Sequence, residues 1–142
     1  MKRDMPEGAT GTVLAFDFGI RRIGVAVGEP ETGTAHPLSG IATMGEARFA
    51  AVAGLIAQWK PARLVVGLPL GVDGAPHDVT RLAERFARQL RGRFGLPVEL
   101  VDERFTSVEA ESRLRGKRAG RIAIDSVAAQ LILEQYLGKR AA

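Results

Sequence analysis

The feature that most constrains the fold is an apolar stretch, residues 13–27, that is interrupted by a carboxylate, Asp17, then a glycine and two arginines. Both sides of the interruption are rich in Val, Ala and Phe, so the stretch predicts two strands, 12–18 and 23–28, joined as a hairpin. A charge within an apolar run is costly unless something pairs with it. A metal ion is an economical partner for a carboxylate beside glycine and arginine. We therefore expect further carboxylates elsewhere in the chain that share this ion.

The rest of the chain has the periodicity of an α/β protein. A third strand over 34–43 contains Pro37, which fits an edge strand. Strands and helices then alternate, which predicts a mixed five-stranded sheet, an antiparallel meander followed by parallel strands, with helices on its faces. The predicted elements are a helix from Glu46 to Pro61, a buried strand at 63–68, a helix with Val79, Leu82, Phe86 and Leu90 inward, a strand at 98–101, a short helix from Thr106, and a last helix from Asp125 to about Leu137.

The length and composition predict one soluble domain. A chain of 142 residues is large enough for a single core, which we place at 12–138 between short tails at 1–11 and 139–142. The sequence has no cysteine, which excludes disulfides and suits a reducing compartment. The charged start does not resemble a signal peptide, and no apolar run approaches the length of a membrane span. We expect a cytoplasmic protein without a membrane partner.

The net charge of +4 favours a polyanionic partner. The positions of the basic residues are a stronger indication than the net charge itself. A basic cluster in a glycine-containing loop carries no acid, and its members are Arg113, Arg115, Lys117, Arg118 and Arg121. Such a run is equally typical of a solvated surface, unless the loop flanks an active site. A second basic group, on a separate face of the second predicted helix, consists of Arg81, Arg85 and Arg88.

Carboxylates stand at the ends of three predicted elements. Asp17 closes the first strand, Asp102 and Glu103 follow the last strand, and Asp125 opens the last helix. Sites in open α/β sheets lie at the carboxyl ends of parallel strands. If the first and last strands are parallel neighbours, Asp17 meets one of the two later acids, and Asp125 completes the group. Such acids repel one another without cations, and two Mg²⁺ or Mn²⁺ ions about 4 Å apart would neutralise them and clamp a scissile phosphate.

Each acid also has a purely structural interpretation. Asp125 fits an N-cap of the last helix equally well. Either Asp102 or Glu103 can pair with Arg104, and successive strand residues face opposite sides, so the two acids are not expected to share one role. Asp17 before a glycine is also typical of an Asx-turn.

Four segments, 17–26, 65–74, 102–110 and 124–129, resemble the YqgF/RuvX family in order and spacing. The resemblance covers roughly residues 12–137. It implies an RNase H-like fold and a nuclease, provisionally described as acting on precursor 16S rRNA and earlier as similar to Holliday-junction resolvases. It also implies catalytic and metal-ligand roles for Asp17, Glu103 and Asp125, and so selects Glu103 over Asp102.

The sequence departs from the family pattern at two positions near the last acid. Family members commonly have a lysine shortly before this aspartate, where the present chain has the segment 122–124, Ile-Ala-Ile. Related resolvases often have a fourth acid three residues later, where this chain has Ala128. We therefore expect the second metal ion to be held weakly.

The combined interpretation is a metal-dependent phosphodiesterase that processes the 5′ end of precursor 16S rRNA. Binding of structured RNA is assigned to residues that would contact backbone phosphates, namely Arg21, Arg22, Arg104, Arg113, Arg115, Lys117, Arg118 and Arg121. A DNA-junction nuclease would fit the same acids but needs a two-fold dimer, whereas the sequence favours a monomer or a weak homodimer. The sequence is also compatible with a nucleic-acid-binding module with little turnover and with an actin-like ATPase, although the latter requires a second domain.

Overall fold

The computed structural model describes residues 11–69, 78–102 and 121–141, and within the last helix it describes side chains at 126–138. No helix in these ranges is long and apolar enough to cross a membrane. The order of elements agrees with the prediction, while the short helix expected from Thr106 lies outside the described residues and the domain limits stay a prediction. The elements are β1 (Val13–Asp17), β2 (Ile23–Glu29), β3 (Thr34–Ile41), α1 (Glu46–Trp59), β4 (Arg63–Leu68), α2 (Asp78–Phe94), β5 (Val98–Asp102) and α3 (Arg121–Ala141).

The five strands form one mixed sheet in the order β3-β2-β1-β4-β5. The first three strands are an antiparallel meander, and β4 and β5 continue parallel to β1, as predicted. The edge strand β3 has an irregular register opposite Ile23 and Val25, which fits a strand that contains Pro37. The first and last strands are parallel but are not neighbours, because β4 lies between them, so the condition set for a direct meeting of their acids is not met. The crossover through α1 places β4 beside β1, and the crossover through α2 places β5 beside β4, at the edge of the sheet.

The two faces of the sheet are covered by different helices. Leu14 and Phe16 of β1 pack with α1 and α2, whereas Val13 and Ala15 pack with α3. This alternation follows from the two-residue period of a strand. It places Asp17, the next residue in the second series, on the α3 face of the sheet.

Helix α3 is attached to the sheet at both ends by hydrogen bonds. Near its start, Ser126 Oγ donates to the carbonyl oxygen of Leu38 on β3 at 2.6 Å. Near its end, the Tyr136 hydroxyl donates to Glu99 Oε2 on β5 at 3.1 Å and accepts from Arg63 Nη1 at 3.2 Å. The helix therefore crosses the sheet diagonally, and its first turns lie over the meander.

The buried face of α2 differs from the predicted one at Leu82, and Val79 is only half-buried. Phe86 and Leu90 are buried as expected, but Leu82 remains 38% exposed, so its predicted inward orientation is wrong. Ala83 and Ala87 are fully buried instead. Small side chains let the helix approach the sheet closely, and this turns Leu82 towards the gap between α1 and α2.

Candidate functional site

Asp17 lies at the carboxyl end of β1 with glycines on both neighbouring strands. Its partner on β2 is Gly24. On the other side, the parallel register of β4 brings Gly67 level with it, one position beyond the last paired residues, and Gly67 in turn pairs with Val101 of β5. Both glycines are buried and neither adds a side chain to the α3 face. The half-buried carboxylate therefore has no neighbouring side chain on its face from these two positions of the adjacent strands.

The donor chemistry at this edge suits a hard divalent cation. Carboxylate oxygens are the ligands that Mg²⁺ and Mn²⁺ prefer. Asp17 supplies them on a strand end, where the backbone is fixed by pairing on the β2 side. Within the part of the chain that the structure describes, no group of three acidic or histidine side chains is close enough to hold a metal. A set of three such ligands would therefore include at least one residue whose side chain is not described, such as Glu103 or Asp125.

Asp102 does not share the environment of Asp17. Glu99 faces α3, since it accepts a hydrogen bond from Tyr136, and Val101 packs in the same cluster. Alternation along β5 then places Asp102 on the opposite face. Asp102 therefore lies on the opposite face of the sheet from Asp17, whereas Glu99 and Val101 share the face of Asp17.

Asp125 lies within α3, because the helix already begins at Arg121. The interpretation of Asp125 as an N-cap is therefore wrong. The following residue, Ser126, is bonded to Leu38, whose cross-strand partner on β2 is Val25, the neighbour of Gly24. The backbone before Ser126 thus lies at the end of the sheet that carries Asp17.

Several predicted site residues lie outside the described residues, so their meeting with Asp17 stays a prediction. The side chains of Asp125 and Arg121 are among them, although both positions belong to α3. The others lie between β5 and α3 and are Glu103, Arg104, Arg113, Arg115, Lys117 and Arg118.

The hairpin turn after Asp17 presents the predicted phosphate-binding arginines. Arg21 is exposed and Arg22 is half-buried. The turn requires glycine at position 19, because a Cβ atom there would overlap the carbonyl oxygen of Arg22. A tight backbone is therefore what holds these arginines beside the carboxylate.

Arg48 is a positioning residue that the sequence analysis missed. Its side chain is only 8% exposed and donates from Nη2 to the carbonyl oxygen of Ile20 at 2.8 Å and from Nε to that of Thr43 at 3.1 Å. Its guanidinium carbon lies 5.6 Å from the centre of the Phe18 ring, and burial lowers the pKa of the group. Arg48 therefore ties the hairpin turn to α1. The sequence signal for the burial of Arg48 was its position four residues before Val52, which is buried on the same face of α1.

The solved structures with a similar fold include resolvases of low sequence identity. The chain aligns with the structure of Thermus thermophilus RuvC with a TM-score of 0.57, 16% identity and coverage of 92% of this chain and 96% of that one. The same protein in complex with a Holliday junction substrate gives a TM-score of 0.59 at 17% identity, with 92% and 95% coverage. The yeast mitochondrial Holliday junction resolvase aligns with a TM-score of 0.54 at 13% identity, covering 91% of this chain and 78% of that one. These likenesses show an RNase H-like fold of the RuvC type.

Sequence relatives are much closer. A protein of Paraburkholderia phytofirmans, provisionally named pre-16S rRNA nuclease, is 53% identical over 134 residues, which cover 94% of this chain and 92% of that protein. Proteins with the same provisional name from Dechloromonas aromatica and Burkholderia mallei are 53% and 55% identical, with coverage of 89% of this chain and 90% and 87% of theirs. The model of the RuvX family, described as Holliday junction resolvase, matches residues 11–139. The chain therefore belongs to the RuvX family.

Proposed function

We propose that this protein is a divalent-metal-dependent nuclease that hydrolyses a phosphodiester bond of structured RNA, at the 5′ end of precursor 16S rRNA. The observation that carries the proposal is Asp17, a carboxylate at the end of a central strand between two buried glycines, in a chain of the RuvX family. The choice of RNA is supported by relatives more than half identical, whose provisional name specifies pre-16S rRNA.

The proposed ligands of one or two Mg²⁺ or Mn²⁺ ions are Asp17, Glu103 and Asp125. The alternation of β5 supports Glu103 over Asp102, since position 103 follows in the series of Glu99 and Val101, which face α3. The bond between Ser126 and Leu38 supports Asp125, since it anchors the adjacent residue at the same end of the sheet. When bound, such ions lower the pKa of water and stabilise the charge on a departing oxygen.

The role of the protein's own groups is to orient the phosphate chain. Arg21 and Arg22 lie on the turn directly after the carboxylate, where guanidinium groups can hold phosphate oxygens beside the scissile bond. The same task is assigned to Arg104 and the basic cluster of residues 113–121. Asp17 would also repel an unaccompanied phosphate, so productive binding requires both cations and arginines.

The test is cleavage of a precursor 16S rRNA fragment in Mg²⁺ or Mn²⁺ by the wild type, Asp17→Asn and Asp102→Asn. We expect Asp17→Asn to lose roughly a hundredfold or more in rate, because a metal ligand contributes several kcal/mol to transition-state stabilisation. Asp102→Asn is the matched control, since it removes a strand-end carboxylate from the other face. Equal rates in wild type and Asp17→Asn would remove the site assignment.

A DNA-junction nuclease is the second candidate, and the description of the matching family favours it. Symmetric cleavage of a four-way junction needs two sites related by a two-fold axis. Cleavage of a four-way DNA junction, together with a dimer in sedimentation, would support this candidate over the RNA nuclease. Binding of both nucleic acids without cleavage would instead indicate a module with little turnover. We assign the RNA nuclease to a cytoplasmic monomer or weak homodimer, whereas the junction nuclease requires the dimer.

A further inference from the structure

A cavity of about 140 Å³ lies between α1 and α2, on the face of the sheet opposite the Asp17 side chain. Its walls include the rings of Phe18, Phe49 and Phe86, and Leu82 borders it. The Phe86 centroid is 5.3 Å from that of Phe18 and 5.9 Å from that of Phe49, so the rings form one aromatic surface. Drug-sized ligands occupy pockets of about 300 Å³ and more, so this cavity suits a single ring system.

Polar side chains reach the cavity from both helices, with Arg48 on α1 and two residues on successive turns of α2. Arg85 and Gln89 line it, four residues apart on one helix face. Arg85 is exposed, and so are Arg81 and Arg88 on the same helix. Arg81 has a surface ion pair with Asp78 at 3.5 Å, whereas neither Arg85 nor Arg88 has an ion-pair partner among the described residues. An apolar hollow beside uncompensated arginines fits a ligand that combines a flat ring with negative charge.

The cavity lies close to the candidate catalytic edge. Phe18 directly follows Asp17 in the chain, and the alternation of β1 directs the two residues to opposite faces of the same sheet end. Helix α2 follows β4, whose carboxyl end lies at that same edge. A nucleic-acid strand that passes Asp17 can therefore continue over this edge towards the cavity.

We propose that the cavity binds one unstacked base of a single-stranded segment of the substrate, with Arg85 and Arg88 holding the flanking phosphates. The aromatic rings would contact the base, and the Gln89 amide, which can both donate and accept, would bind its edge, as is typical of single-stranded RNA recognition. The proposal rests on the proposed function only in taking the ligand to be a nucleic-acid chain. It adds a base-binding subsite on the face of the sheet away from the carboxylates.

The test measures binding of a short mixed-sequence single-stranded RNA by fluorescence anisotropy in EDTA, where metal-dependent cleavage cannot occur. The variant Leu82→Glu places a carboxylate at the cavity. Leu100→Glu is the matched control, since Leu100 on β5 is also 38% exposed and the change in net charge is the same. We expect Leu82→Glu to weaken binding by roughly 5- to 150-fold relative to the control, the range for loss of one stacked base. Gln89→Ala is a second variant and should weaken binding in the same direction.

A second arm replaces each nucleotide of the RNA in turn by an abasic one. With wild type, one position should weaken binding far more than the others, and Leu82→Glu should abolish that difference. Equal affinities of the two glutamate variants, or equal losses at every abasic position, would overturn the proposal. So would a Leu82→Glu variant that dissociates a homodimer and binds RNA normally, since the occupant would then be a protein side chain. Failure of wild type to cleave RNA would overturn the proposed function and leave this binding result standing.

Discussion

Glycine residues near Asp17 serve two different physical purposes. Gly24 and Gly67 flank it across the sheet and add no side chain beside the carboxylate. Gly19 instead permits the hairpin turn, because any side chain there would meet the carbonyl oxygen of Arg22. The candidate site therefore depends on the lack of side chains at these three positions as well as on the carboxylate.

Replacement of Gly19 by alanine tests the requirement of the turn. We expect Gly19→Ala to lower the free energy of unfolding by about 1–3 kcal/mol, the range for an added methyl group that forces a backbone shift. Gly54→Ala is the control, since no atom lies within 4 Å of a Cβ there and alanine should stabilise helix α1 by about 0.5–1 kcal/mol. Urea unfolding measures both, and a Gly19→Ala variant as stable as wild type would contradict the account.

Arg48 provides the second prediction at the residue scale. Its removal leaves the carbonyl oxygens of Ile20 and Thr43 without their partner, so Arg48→Ala should lose about 2–4 kcal/mol of unfolding free energy. Arg88→Ala removes an exposed arginine and should stay within about 0.5 kcal/mol of wild type. Chemical denaturation of the two variants gives the comparison, and equal stabilities would show that Arg48 does not hold the turn.

At the scale of elements, a charged pair next to an aromatic ring joins the first turn of α1 to the last turn of α2. Arg93 binds Glu46 through two hydrogen bonds, at 2.8 and 3.0 Å, and its guanidinium carbon lies 3.9 Å from the centre of the Phe49 ring. This bidentate geometry fixes the two helices beside the cavity.

The pair predicts a specific dependence on pH. The hydrogen bond and charge of Arg93 lower the pKa of Glu46 below its ordinary value of 4.5. A lowered folded-state pKa stabilises the fold above the unfolded value, and this contribution disappears as the pH falls through the folded value. NMR titration should therefore give a Glu46 pKa below 4.5 in wild type and a value near 4.5 in Arg93→Gln. An unchanged value in the variant would contradict the pairing.

Most elements could be predicted because their signals are local. The run 63–68 corresponds to β4 residue for residue, and alternation alone separates Asp102 from Glu103. Strand order could not be predicted in the same way, since the position of β4 between β1 and β5 depends on how the crossovers pack. The glycines beside Asp17 were missed for a related reason, because they are 7 and 50 positions away and only the register brings them together.

For the whole molecule, the net charge of +4 and the arginines on the turn after Asp17 predict RNA binding governed by counterion release. The logarithm of RNA affinity should fall linearly with the logarithm of salt concentration. Arg21→Ala should make that slope shallower by about 0.7, the value for one phosphate contact on a single strand. Lys60→Asn is the control, since Lys60 precedes β4 at the opposite end of the sheet, and asparagine tolerates its left-handed backbone. Equal slopes for both variants would contradict the assignment of Arg21.

The central claim is that folding gathers Asp17, Glu103 and Asp125 into one cation site at the end of the sheet. Calorimetric titration of Mn²⁺ into wild type, Asp17→Asn, Glu103→Gln, Asp125→Asn and Asp102→Asn tests it most directly. The account predicts that the first three variants lose roughly a hundredfold or more in affinity, whereas Asp102→Asn binds as wild type does. Binding by Asp17→Asn at the wild-type affinity, or an equal loss in Asp102→Asn, would contradict it.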